Sequence, residues 1–284
     1  MIAALKSIGF AKFIVLEDFH YLLPETQADF AVALKAFHED SNLIFIVVGV
    51  WLDQNRLVQH NGDLTGRVVT VNADAWEARE LGEVITAGER LLQIHFDPAF
   101  RAALVDGCFD SVWVVQEGCY LACERQGVLF EQDGTVVVGT GVNVPQLIET
   151  VVSSQSARYN GFLEHFPGGF QSAPTELQMY KWLLLPVLSL AVEDLERGLS
   201  LSELRELVNR YHPRGPLADT SFLQALQRTS ALQVKQKVKP IVLDFDQTNR
   251  RLTVVDRGFL IWLQHQDRRA LLSEIGLPNS GVVL

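Results

Sequence analysis

Two apolar runs about thirty residues apart, Phe13–Leu16 and Leu43–Val50, constrain the start of this chain more than any other feature. Neither alternates polar with apolar residues, so each offers apolar side chains to both faces, as buried strands of a parallel sheet do. Between them, residues from about Glu25 to His38 place Phe30, Leu34 and Phe37 on one helical stripe. After a polar loop, Arg67–Asn72 reads as a third short strand. Strand, helix, strand, loop, strand predicts an α/β sheet with crossover helices over residues 1–73.

From Asp74 the pattern becomes helical. Asp74 with Glu77 resembles a capping box, and Trp76, Leu81, Val84, Ile85 and Leu92 follow at helical spacing. Asp97-Pro98 opens a second helix that stops at Gly107, and Asp110 opens a third that ends before Gly127. Residues 74–127 are thus expected to form a small helical domain. Residues 128–175, glycine-rich and weakly patterned, read as a connector with one hairpin and one helix. In residues 176–284 the spacing predicts a long helix Met179–Arg197 and shorter ones at Ser202–Tyr211 and Thr220–Leu232. A hairpin of Ile241–Phe245 and Leu252–Val255 follows around a turn at Asp246-Gln247-Thr248-Asn249, then a closing helix Gly258–Leu272. That order is the one expected of a winged helix-turn-helix.

Composition narrows the class. With 48% hydrophobic and 20% charged residues the chain has the balance of a folded protein. A net charge of −10 argues against a surface wrapped in nucleic acid throughout. Residues 181–284 nevertheless hold 14 of the 24 Lys and Arg and 11 of the 34 Asp and Glu, so a mildly basic tail follows an acidic body. That asymmetry fits an end region touching a polyanion, and equally one with no partner. Cys108, Cys119 and Cys123 are too few and too clustered for a disulfide framework. A metal site would need His95 beside Cys119 and Cys123; buried free thiols are the alternative. The leading MIAALKSIGFAK lacks a signal-peptide layout, and the apolar run Trp182–Val192, interrupted by Pro186, is too short to span a bilayer. A cytoplasmic protein without a membrane partner is expected.

The stretch FIVLEDFHYL, residues 13–22, resembles a Walker B motif, in which an apolar strand delivers two acidic residues to the carboxyl edge of the sheet, where nucleotides bind. With the helix after Pro24 and the strand at 43–50, the order resembles AAA+ ATPases of the origin-recognition-like and STAND type. The resemblance implies ATP and Mg²⁺ as ligands, with Glu17 holding the metal and Asp18 orienting the attacking water. Glu17 departs from the family's usual Asp by one methylene. Arg67, at the end of GDLTGR, takes the place of an arginine that reaches a neighbouring subunit's nucleotide, which also implies a self-oligomer; a solvated loop residue is the plain alternative, and Arg56 a second candidate. Residues 74–127 resemble the family's helical lid, although Gln116 or Glu117 stands where a sensor arginine belongs.

No G-x-x-x-x-G-K-[S/T] occurs in the chain. Gly139-Thr140-Gly141 after a valine run is a faint dinucleotide-loop pattern, but Val144 occupies the third glycine's place. The expected whole is therefore a partial P-loop AAA+ parallel sheet (1–73), a helical lid (74–127), a connector (128–175) and a winged helix-turn-helix (176–284), the later part of a longer or split protein with poor ATP affinity by itself. A non-catalytic winged-helix module is the other reading. Its outer face would carry Gln224, Gln227 and Arg228, followed by Lys235, Lys237 and Lys239, with Arg250 and Arg251 at the wing tip. Those cations suit phosphates of DNA, or lie solvated while the domain docks a protein.

Overall fold

A computed structural model describes residues 2–10, 12–49, 56–73, 76–170, 176–247 and 249–279. Val50, Asp74 and Thr248 of the expected elements lie outside the described residues, as does the side chain of Arg56.

A short helix α1 (Ile2–Ser7) precedes strand β1 (Ile14–Leu16), and α2 (Pro24–Asp40) crosses over to β2 (Phe45–Val47). The two strands pair in parallel, Ile14 opposite Phe45 and Leu16 opposite Val47. The expected crossover is therefore present, but burial on both faces is not. Phe30 and Phe37 of α2 pack on Phe45 with ring centroids 5.7 and 5.0 Å apart, covering the inner face. On the outer face Phe13, Val15, Ile44, Ile46 and Val48 are all exposed, Phe13 by 62%. The expected strand at Arg67–Asn72 is also corrected: this described sheet has two strands, and Val69 and Val71 face solvent at 89% and 81% exposure. A third strand needs a ladder with a neighbouring strand, and among the described residues no ladder includes residues 67–72. The polar loop instead forms α3 (Arg56–His60) and a 3-10 turn, Gly62–Leu64, whose Leu64 is buried and whose Asn61 amide donates to the Ala31 carbonyl at 3.1 Å.

A larger body follows. Helix α4 (Ala78–Leu92) starts where the Glu80 carboxylate accepts the Glu77 N–H at 2.9 Å, three residues later than the expected cap. Strand β3 (Ile94–Phe96), not anticipated, leads to α5 (Pro98–Gly107), capped as expected by Asp97. Helix α6 (Val112–Arg125) is capped by Ser111 rather than Asp110. The expected connector holds strand β4 (Val136–Val138), parallel to β3 with Ile94 opposite Val136, then α7 (Val144–Ser153) and α8 (Ser156–His165). No hairpin forms there among the described residues. Val138, Leu147 and Phe162 of this stretch join one apolar core running from Leu81 to Leu277.

The C-terminal part divides helices that were expected whole. Met179–Arg197 becomes α9 (Met179–Ser189) and α10 (Val192–Arg197), because Leu190 turns extended and its carbonyl is taken by the buried Arg268 guanidinium. Strand β5 (Leu199–Ser200) precedes α11 (Leu201–Tyr211), and Thr220–Leu232 splits at Arg228 into α12 (Asp219–Gln227) and α13 (Thr229–Lys235). Strands β6 (Leu243–Asp246) and β7 (Arg251–Val254) make an antiparallel sheet with β5, in the order β5-β7-β6. The closing helix is likewise two, α14 (Arg257–Gln264) and α15 (Arg268–Glu274), the second capped by Asp267. The fold is mixed α/β, mainly helical, with three small sheets among the described residues. Among the described residues no helix is long and apolar enough to cross a membrane.

Candidate functional site

Strand β1 ends at Leu16, and Glu17 and Asp18 follow at its carboxyl end. The ladder continues past them: Val48 N–H donates to the Leu16 carbonyl at 2.9 Å, and Phe19 N–H donates to the Val48 carbonyl at 3.0 Å. By the two-residue alternation of a strand, Glu17 therefore shares the open face with Phe13 and Val15. Asp18 has φ 56° and ψ 26°, a left-handed conformation that Asp tolerates better than most residues. It turns the chain into a 3-10 helical turn, Phe19–Tyr21.

That turn is pinned from below. Phe19 is buried with its ring 5.3 Å from Phe30 of α2, and the buried Gln27 amide donates to the Leu22 carbonyl at 2.8 Å. The backbone carrying the acids is thus fixed, while both carboxylates are exposed. Among the described residues neither accepts a hydrogen bond or ion pair. Two such carboxylates suit Mg²⁺, which keeps several waters and takes phosphate oxygens with only one or two protein ligands. They do not make a closed protein cage, and no group of three metal-binding side chains occurs among the described residues.

Beside the acids lies a cluster that sequence reading missed. The Tyr21 ring lies against His20 with centroids 3.9 Å apart and planes tilted by 42°, and the Lys239 ammonium sits 4.4 Å from the Tyr21 ring centre. Burial, then the charge of Asp18, pushes the Tyr21 phenol up, with Arg158 opposing. Arg158 donates to the Pro240 carbonyl at 3.0 Å and to the Asp256 carboxylate. Asp256 in turn accepts the Phe259 N–H at the start of α14 and the Tyr159 hydroxyl, each at 3.3 Å. Burial raises the Asp256 carboxyl despite Arg158. No local pattern marks Tyr21, and nothing in the run Lys235, Lys237, Lys239 points to Tyr21 as the partner of Lys239.

Arg67 is not brought to the acids within the chain. It pairs with Glu39 at 3.0 Å in the last turn of α2. At 1.5 Å rise per residue that turn stands roughly 20 Å from the helix start beside the acids. Any role for Arg67 at a nucleotide would be across a subunit boundary, as the resemblance placed it.

Among the C-terminal candidates, the neutral Gln224 and Gln227 and the cations Arg228, Lys235, Lys237, Lys239 and Arg250 are exposed, and Arg251 is half-buried. Several are engaged inside the chain. Lys235 donates to the Phe170 carbonyl at 2.9 Å, Arg228 lies over the Phe170 ring at 5.9 Å, and Arg251 donates to the Gly198 carbonyl at 2.7 Å. Gly139-Thr140-Gly141 links β4 to α7, but the Gly139 N–H is taken by the Gln126 side chain at 2.8 Å. A Cβ at Gly139 would stand 2.6 Å from Phe100 Cγ, so this glycine serves close packing. The cysteines are free; Cys119 is pushed up to about 12, by burial first and then by Cys123. Gln116 is exposed at the expected sensor position and Glu117 half-buried.

No family model matches the chain, and no curated protein or solved structure does either.

Proposed function

We propose that residues 1–73 are the later half of an AAA+/STAND-type nucleotide-binding core, within a cytoplasmic ATP-dependent regulatory protein. The observation that carries this reading is the placement of Glu17 and Asp18 at the carboxyl end of β1, next to the parallel strand β2. In open α/β sheets that edge is where nucleotides bind. A second support is the incompleteness of the layer. Parallel sheets are normally covered on both faces, and a two-stranded sheet is marginal alone. The open face of Phe13, Val15, Ile44, Ile46 and Val48 is what a further unit bearing the phosphate loop would cover.

In this reading Glu17 holds Mg²⁺ and Asp18 orients the attacking water. The metal, when bound, neutralises charge on the β- and γ-phosphates. Arg67, released from Glu39, stabilises the transferring phosphoryl group of a neighbouring copy, a contribution of roughly 10³–10⁵ in rate for such arginines. The chain carries no G-x-x-x-x-G-K-[S/T], so the amide cradle and lysine come from another segment or polypeptide.

Mg²⁺-dependent ATP binding, measured by calorimetry on this chain and on a polypeptide that also supplies a P-loop unit, tests the reading. Weak binding by the chain and tight binding by the larger polypeptide, lost in Glu17→Gln, is the expected result. Tight binding by the chain alone would overturn the need for the second unit. Binding indifferent to Glu17→Gln would overturn the site itself.

A second reading rests on the C-terminal topology. The order α10, β5, α11, α12–α13, β6, β7 with sheet order β5-β7-β6 supports a winged helix. Engagement of Lys235, Arg228 and Arg251 within the chain favours a protein-docking role over DNA. A gel shift at low and moderate salt separates the two, and the absence of a shift at low salt ends the DNA reading.

A further inference from the structure

We propose that the 3-10 turn beginning at Asp18 is also the docking element that seats the α/β unit on the larger body, through Tyr21 against Lys239, whose neighbour Pro240 is held by Arg158. The proposal rests on the reading of Glu17 and Asp18 as a ligand-facing pair, and it adds how the state of that pair reaches the rest of the molecule. The Tyr21 N–H donates to the Asp18 carbonyl at 2.9 Å, so the left-handed residue and the ring three positions later move together. The ring accepts the Lys239 ammonium on its face at 4.4 Å, an electrostatic contact with the negative side of the aromatic system.

Lys239 and Arg158 are not independent cations. Lys239 precedes Pro240, whose carbonyl Arg158 holds at 3.0 Å, while the same guanidinium binds Asp256. Asp256 is the N-cap of α14, so the path ends on a helix of the continuous core. Asp18 and Arg158 act with opposite sign on the Tyr21 phenol, and Arg158 is in turn paired with Asp256. A divalent cation arriving at Glu17 and Asp18 cancels the first of these charges. The attraction between the turn and the two cations then falls, and the α/β unit loosens from the body. An unliganded pair is the docked state, and a liganded pair the released one.

The contact is readable at Lys239 itself. Reductive ¹³C-methylation keeps each lysine charged and gives one NMR signal per side chain, with that of Lys239 identified by its loss in Lys239→Arg. In the full chain the Lys239 methyl signal is expected to be displaced upfield by the Tyr21 ring. Tyr21→Leu should abolish that displacement and Tyr21→Phe should retain it, which separates loss of the ring from loss of folding. Asp18→Asn should move the same signal toward its solvated position. A Lys239 signal unchanged by Tyr21→Leu, or indifferent to Asp18→Asn, overturns the proposal. MgCl₂ added to the wild-type chain then examines the acidic pair alone. If the variants behave as expected but magnesium moves nothing, the metal reading of Glu17 and Asp18 fails while the docking contact stands.

Discussion

Gln233 is fully buried, and its amide takes the place of a missing strand neighbour. Its Oε1 accepts the N–H groups of Val242 at 2.7 Å and Leu243 at 3.0 Å, and its Nε2 donates to the carbonyls of Leu243 at 2.7 Å and Thr229 at 3.1 Å. The full capacity of a glutamine amide is used. Gln233→Leu would strand those backbone groups in the core, at about 1–3 kcal/mol for each one left unsatisfied. Urea denaturation should therefore show a loss of at least about 2 kcal/mol. Glu203 makes a different prediction. Bonds from Ser200, side chain then backbone, with help from Arg197, hold its carboxyl down at about 2 from an ordinary 4.5. A depressed folded pKa means stability that is present above pH 4.5 and is lost as pH falls toward 2. Thermal unfolding of Glu203→Gln should thus fall less steeply over that window than wild type. Residues of these two kinds differ in legibility. Ser200 and Glu203 have the three-residue spacing of a capping box, although the sequence spacing predicts the helix only from Ser202, and Glu17-Asp18 stand out by ending an apolar run. Gln233 and Tyr21 carry no such mark, because their partners are fixed only by the fold, and no spacing announces the bond of Gln27 to the Leu22 carbonyl.

At the scale of elements, the two faces of the β1–β2 sheet should respond oppositely to substitution. Val15→Thr and Ile46→Thr on the open face are expected to change stability by no more than about 0.5 kcal/mol. They should also reduce binding of an apolar dye. Leu16→Ala on the face covered by α2 should destabilise the unit by more, read as faster amide exchange in β2. The glycines after β4 make a second contrast. Gly139→Ala drives a methyl into Phe100 at φ +90°, whereas Gly141→Ala meets nothing within 4 Å and bears only the strain of φ +73°. Overpacking costs about 1–3 kcal/mol, so Gly139→Ala should lower the melting temperature more. Helices with local caps and stripes, such as α5 behind Asp97-Pro98, were legible because helix signals lie within a few residues. Strands β3 and β5 span three and two residues, too short for any period to show. Their pairing partners, β4 and β7, lie some forty and fifty residues away. Splits at Leu190 and Arg228 were illegible for a similar reason, since apolar spacing runs on across both breaks.

In the whole molecule, apolar burial is unequal. The core from Leu81 to Leu277 is continuous, while among the described residues before it only Phe19, Ala31 and Leu64 are buried hydrophobics. Local opening follows buried contact, so amides of β1 and β2 should exchange by a lower-energy route than those of α9 and α14 in native-state hydrogen exchange. Coincident protection across both regions would contradict that division. The parallel pairing of β3 with β4 carries its own implication for how the polypeptide can be cut. Among the described residues Ile94–Phe96 finds its ladder in Val136–Val138 alone, so α5 and α6 are a closed circuit whose seam lies beyond Gly127. Protease nicking within residues 128–135 would leave the circuit tied by its strands, whereas a polypeptide stopped at Gly127 would lack the seam altogether. Synthesis from the N-terminus therefore leaves this region unfinished until Val138 has emerged, however early its helices form.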